Sequence, residues 1–158
     1  CELGDVDCRS NYSLDDGNIN VRQHLPLLAS RYRVKGAAGK GSTAQILLAD
    51  DMYSPDGCRE VAIKVFNRHF YVAALYEAAV LRFLNQVDAD DCCYSVRMLD
   101  AFTFAGHACV VLEKLQGTLL DLIVQMSPLD ECRKAAIVRK VALQLVTALN
   151  AMHSHGLA

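Results

Sequence analysis

The apolar positions change period twice along the chain, and the changes divide it into blocks. Residues 1–30 are rich in Asp, Asn, Ser and Gly with little periodicity, which predicts a loosely ordered lead-in with a turn at Asp16-Gly17. From Arg31 the pattern tightens. Tyr32-Arg33-Val34 alternates as a strand start, Gly36 to Gly41 reads as a turn-rich loop, and Ala44 to Ala49 as a short apolar strand. Asp50 to Arg59, with Ser54-Pro55-Asp56-Gly57 inside it, has the chemistry of a hairpin connection, and Glu60 to Phe66 predicts a third strand.

The spacing then lengthens. Val72, Leu75, Tyr76, Ala79, Val80, Phe83 and Leu84 recur at three and four, predicting a helix from about Tyr71 to Asn85. An acidic loop, Asp88-Ala89-Asp90-Asp91, follows. Ser95 to Phe104 and His107 to Glu113 predict two more strands, split by Ala105-Gly106. Thr118 to Met126 predicts a short helix. Asp130 to His153 predicts a long one, with Ala135, Val138, Val141/Ala142, Leu145, Leu149 and Met152 on one face and a start region near Ser127-Pro128. Three strands, a helix, two strands and then helices define a five-stranded α+β lobe leading into a helical one.

Composition narrows the function classes. A formal net charge of −2 gives no basic footprint for nucleic acid. No uninterrupted apolar run approaches the ~18 residues of a membrane span, so no membrane partner is expected, and the first thirty residues lack a signal-peptide pattern. Cysteines at 1, 8, 58, 92, 93, 109 and 132 form an odd set without a C-x-x-C pair, as expected for reduced thiols in the nucleus or cytoplasm. A chain opening on Cys1 is expected to be a piece of something longer.

Four candidate groups carry chemistry. Gly39-Lys40-Gly41-Ser42 lies between the first two predicted strands, where glycines let backbone N–H groups approach phosphate oxygens. By itself such a turn is more often a hairpin that needed glycine, and no G-K-[ST] opens a helix here. Val61-Ala62-Ile63-Lys64 ends a strand on a lysine, which ordinarily points to solvent but could bridge the α- and β-phosphates of a nucleotide, with Ala62 leaving room for a flat base. Glu77 lies among apolar residues of the next helix, where a carboxylate needs a partner, and Lys64 is the candidate. Cys109 to Leu115 is a strand running into a linker whose backbone could pair with an adenine edge.

Glycine loop, lysine and glutamate in this order resemble a eukaryotic protein kinase from about Arg31 to Ala158, and within it the CMGC group. Asn11-Tyr12 to Gly17 with Ser30-Arg31-Tyr32, Leu84-Asn85 to Asp91, His107-Ala108-Cys109, and Val138-Arg139-Lys140 to His153 resemble the dual-specificity tyrosine-regulated and pre-mRNA-processing branch. The resemblance implies a small lobe at 31–113, a five-stranded antiparallel sheet plus helix C, and a hinge with the start of the large lobe, helices D and E, at 114–158. It implies ATP binding by Ala38, Gly39, Lys40, Gly41, Ser42, Ile46, Ala62, Lys64, Leu112 (the gatekeeper), Glu113 and Leu115. Lys64 and Glu77 are the implied catalytic pair, and Leu81 and Met98 belong to the implied apolar spine. The implied reaction moves the ATP γ-phosphate to a serine or threonine hydroxyl, with dual specificity as a further option. The partners are ATP and a protein substrate.

Ala44 stands where a third glycine is usual and Thr43 where an aromatic tip is usual, so a pseudokinase that scaffolds or holds nucleotide is the alternative. An alanine at a φ > 0 position there would cost on the order of 1 kcal/mol. The catalytic loop, the D-F-G aspartate and the Mg²⁺ ligands are expected after Ala158, with no metal ligand in this chain and no phosphate transfer by it alone. An uncovered long helix is expected to make the isolated segment poorly soluble or loosely folded.

Overall fold

The computed structural model describes residues 12–14, 16–20, 25–54, 59–88 and 94–157. Cys1, Cys8, Cys58, Cys92, Cys93, the Pro55-Asp56-Gly57 turn, the Ala89–Asp91 part of the acidic loop and Ala158 lie outside the described residues. The chain divides into two compact units, Cys1–Leu81 with Arg97–Lys114 and Arg82–Val96 with Leu115–Ala158.

The first unit is built on five strands: β1 (Tyr32–Lys40), β2 (Ala44–Asp51), β3 (Arg59–Phe66), β4 (Met98–Phe104) and β5 (His107–Glu113). They form one antiparallel sheet in the order β1-β2-β3-β5-β4. Strand alternation sorts the side chains by face. Leu47, Ala49, Val61, Ile63, Val65, Cys109 and Val111 point to one face and join Ile19, Leu28 and Tyr32 in a cluster with no member above 1% exposure. Ile46, Leu48, Ala62, Lys64, Val110 and Leu112 occupy the opposite face, paired across β2, β3 and β5.

Ile19 and Leu28 belong to the expected lead-in, and their burial corrects that expectation for the described part. Tyr12 to Asn20 folds back on itself, with Ser13 bridging Ile19 and Asn20 N donating to Tyr12 O at 2.8 Å. Ile19 stands alone between Asn18 and Asn20, and Leu28 lies in the short Leu25–Ala29 run broken by Pro26, so no period signalled that they pack.

The stretch Gly36–Gly41 also differs from expectation. It is strand as far as Lys40, with irregular pairing between Val34 and Gly36 and between Ala37 and Gly39. The reversal is confined to Gly41–Thr43, closed by Gly41 N donating to Ala44 O at 2.8 Å.

A 3₁₀ turn at Arg68–Phe70, capped by the Asn67 side chain, leads into α1 (Tyr71–Val87), which begins in the first unit and ends in the second. The periodic apolar set does not pack as one face. Val72, Leu75 and Tyr76 are exposed, whereas Ala74, Leu81 and Leu84 are buried with Glu77 and Ala78 on the same stripe. This helix is apolar nearly all round, so spacing alone fixed its existence and not its rotation.

In the second unit, α2 (Leu119–Met126) starts on a capping box formed by Thr118 and Asp121. The long helix α3 (Glu131–Ser154) is capped by Asp130, whose carboxylate accepts from Arg133 N at 2.9 Å. Ser127 ends α2 rather than starting α3. No residue of α3 is fully buried, and Val138, Leu145 and Leu149 are exposed. Leu122, Ile123, Met126, Ile137 and Val141 line an apolar groove of about 250 Å³ between the two helices. By length and composition α3 could cross a membrane, which a search for uninterrupted runs missed. Adjacent Arg139 and Lys140 interrupt it, and each would cost roughly 2.5–3.5 kcal/mol at a bilayer centre.

Candidate functional site

The site begins with the register of three strands. Lys64 on β3 lies between Ile46 of β2 and Val110 of β5, and Ala62 lies between Leu48 and Leu112. Strand periodicity therefore places Ile46, Ala62, Lys64 and Leu112 on one face, opposite the packed core. Gly39 pairs with Ile46, which brings the glycine strand alongside the same row.

Lys64 and Glu77 meet. The ammonium donates to both carboxylate oxygens of Glu77, at 2.7 and 2.8 Å, and lies 4.7 Å from the centre of the Phe66 ring. The two side chains retain 25% and 36% of their exposure, enough for a ligand to reach the ammonium. Asn67 makes this pairing possible, because its side chain accepts from His69 N and fixes where the helical segment begins. Glu77 then comes round on the inward stripe of α1.

Ala38, Gly39, Lys40, Gly41 and Ser42 are exposed. A Cβ on Gly39 would meet nothing within 4 Å, and its φ is not left-handed. Neither a Cβ clash nor a left-handed φ calls for glycine there; Gly39 sits at the pairing irregularity of β1 with β2. Ala44 has no left-handed φ either, so the expected penalty for alanine at that position does not arise. Lys40 points to a partner inside the chain: its ammonium donates to Asp16 Oδ2 at 3.1 Å.

The end of β5 is held from two sides. Glu113 N donates to Arg97 O at 2.9 Å, and Arg97 N returns a bond to Glu113 Oε1 at 2.8 Å. Lys114 donates to Glu60 Oε2 at 2.5 Å, and Lys114 with Lys35 holds the Glu60 carboxyl down to about 2. The Glu113 side chain and its backbone N–H are thus both engaged within the chain. Leu115 is exposed and belongs to the second unit. Among the described residues no group of three His, Cys, Asp or Glu side chains could hold a metal ion.

Sequence reasoning missed Asp16, Glu60, Phe66 and Asn67 as supports of this site. Asn67 had a local signal, an asparagine just before a helical period, and Asp16 had its Asp-Gly turn. Their long-range partners had none.

Known proteins align with nearly the whole chain. It is 31% identical over 145 residues to dual specificity protein kinase CLK1 of Mus musculus, covering 90% of this chain and 29% of that protein. It is 34% identical over 145 residues to serine/threonine-protein kinase ppk5 of Schizosaccharomyces pombe, covering 88% and 17%. To dual specificity tyrosine-phosphorylation-regulated kinase 3 of Homo sapiens it is 31% identical over 144 residues, covering 89% and 23%. The chain therefore spans less than a third of the length of these relatives, and no protein-family model matches it. Over nearly its whole length, and in its five-stranded antiparallel sheet followed by helices, the chain is similar to the N-terminal part of the kinase domain of CMGC-group eukaryotic protein kinases.

Proposed function

We propose that this chain supplies the ATP-binding surface of a serine/threonine or dual-specificity protein kinase that phosphorylates protein hydroxyls in the nucleus or cytoplasm. The observation that carries the reading is the two-pronged Lys64–Glu77 pair on the face that also holds Ala62, Ile46 and Leu112. Lys64 neutralises phosphate charge while Glu77 fixes the ammonium, so no reorganisation is needed when nucleotide arrives. Ala62 and Leu112, side by side on β3 and β5, give an apolar wall with one small member, suited to a flat base. The exposed Gly39, Gly41 and Ser42 let phosphate oxygens approach the backbone closely, with Ala38 and Lys40 flanking them, and the backbone from the Glu113 carbonyl to Leu115 offers an edge to adenine.

Mg²⁺ would add charge neutralisation on the phosphates, but Glu77 is engaged by Lys64 and the described residues hold no carboxylate cluster for it. The same engagement leaves Glu77 unable to take a hydroxyl proton. By this reading the 158 residues alone bind nucleotide and do not transfer phosphate. The boundaries 31–113 and 114–158 are the proposed small lobe and the hinge with the start of the large lobe. Thr43, polar where an aromatic tip would shield the phosphates, supports a non-transferring nucleotide-binding scaffold as the second reading.

The test is phosphate transfer to a basic protein substrate by the full-length protein and its Lys64→Met variant. Loss of transfer in the variant is expected. Transfer that survives rejects the role of Lys64, and a wild type that binds ATP without transfer selects the scaffold.

A further inference from the structure

The turn at Asp16–Asn18 is tied to the glycine-rich turn by contacts that the nucleotide site itself does not use. Gly17 has φ +78 and is buried, and a Cβ there would meet Asn67 Oδ1 at 2.7 Å and His69 Cδ2 at 3.0 Å. That close fit lets the Asn67 side chain donate to Asp16 O at 2.7 Å, while Arg68 N donates to Gly17 O at 3.1 Å. The same Asn67, 6% exposed, sends its backbone N–H to Thr43 O at 2.9 Å, at the tip of the glycine-rich turn. From the other side the Asp16 carboxylate reaches Lys40 at 3.1 Å, after its Oδ1 has accepted from Asn18 N at 3.0 Å and fixed its own turn. Among the described residues Lys40 is the one side chain of Gly39–Thr43 in an ion pair.

The glycine-rich turn is otherwise lightly held. Gly39 to Ser42 are exposed, and Gly36 and Gly39 touch nothing a Cβ could meet. Two of its anchors, at Lys40 and at Thr43, therefore run to one small assembly. Ser13 donating to the buried His107 at 2.7 Å and Tyr12 packed 5.4 Å from Phe104 fix that assembly to the sheet.

We propose that the Tyr12–Asn20 turn, acting through Asp16 and Asn67, positions the glycine-rich turn over the nucleotide site. Asp16 and Asn67 touch no nucleotide; they are positioning residues. The inference rests on the nucleotide-site reading and adds that residues before β1 set the affinity of that site. Placement of backbone donors within a fraction of an ångström governs how well a phosphate is held, so loosening either anchor weakens nucleotide binding.

Two measurements on the full-length protein test this. Amide hydrogen exchange without nucleotide reads the grip directly: Gly17→Ala speeds exchange at the Gly41 and Asn67 amides, and unchanged rates overturn the proposal. The ATP dependence of phosphate transfer reads the consequence: Gly17→Ala raises the KM for ATP roughly threefold to tenfold with kcat within about twofold. Faster exchange with an unchanged KM reduces the turn to a structural support and also overturns the proposal. If Gly17→Ala fails to fold, Asp16→Asn keeps the bond to Asn18 and removes only the charge facing Lys40. It then raises KM by about twofold at low salt and by less at high salt, and a KM equal to wild type at low salt rejects the role of Asp16. A wild type with no saturable ATP binding fails the nucleotide reading, and the exchange rates still report whether the turn grips.

Discussion

Lys64 holds both oxygens of Glu77, at 2.7 and 2.8 Å, from the central strand of the sheet to the first helix. The pair is half-buried, so each charge depends on the other: removing one leaves its partner poorly solvated and uncompensated. In the full-length protein Lys64→Met and Glu77→Gln should each lower phosphate transfer by on the order of 10²-fold or more. Single-turnover kinetics with saturating ATP checks this. Equal kinetics in the Glu77→Gln variant would show that Lys64 needs no help to stay in place.

Ala62 and Leu112 are cross-strand neighbours, and the small side chain leaves the space assigned to a base. Ala62→Ile should fill that space and raise the KM for ATP roughly tenfold or more, while the sheet tolerates a β-branched residue. Nucleotide titration together with a melting curve separates the two effects. A lost affinity with an unchanged melt is the expected pattern.

Ile19 is 1% exposed within the core cluster. Ile19→Ala should destabilise the first unit by roughly 2–4 kcal/mol, as for other large-to-small core changes. Urea unfolding followed by a probe on the sheet measures it. An effect below about 0.5 kcal/mol, the range of surface substitutions, would mean that the residue is not packed in solution.

His107 has no exposed surface, and a carbonyl can only accept, so Nδ1 carries the proton donated to Phe66 O at 2.9 Å and Nε2 accepts from Ser13. Burial, helped by the Arg68 charge, holds its pKa below the ordinary 6.5. The unfolded chain therefore binds this proton first on acidification. The stability contributed by neutral His107 is present above 6.5 and is lost as pH falls from there toward its lower folded value. Melting temperature should fall between about pH 7.5 and 5.5, and His107→Gln should flatten that fall. Identical slopes in both proteins would remove His107 from the account.

Leu120, Val124, Leu143 and Val146 of α2 and α3 are each more than 60% exposed. The isolated 158-residue chain should bind a hydrophobic dye and self-associate, as large apolar patches do. A cooperative, monomeric melt without dye binding would contradict this.

Much of the fold could be read from period alone, and the reasons differ by element. The strand that carries Lys64 and the strand His107–Glu113 showed themselves because both are short apolar runs between turn signals. Lys64 and Glu77 could be paired in advance because a carboxylate among apolar helix residues demands a cation. The rotation of α1 could not, since alanines and large apolar side chains surround it and small Ala74 and Ala78 win the inward stripe. Gly36 to Lys40 looked like a loop because glycine is a poor strand former, yet pairing with β2 overrides the preference. Asp16 and Asn67 are 51 residues apart, and nothing local reports that their polar groups complete each other.

The burial of Ile19 and Leu28 bears on where this protein can be cut. A piece begun at Arg31 would keep all five strands and lose two side chains that seal the back of the sheet over Leu47, Ile63 and Val111. Such a piece would show apolar surface on both faces and would stick to itself. A recombinant small lobe that stays in solution has to start no later than Tyr12.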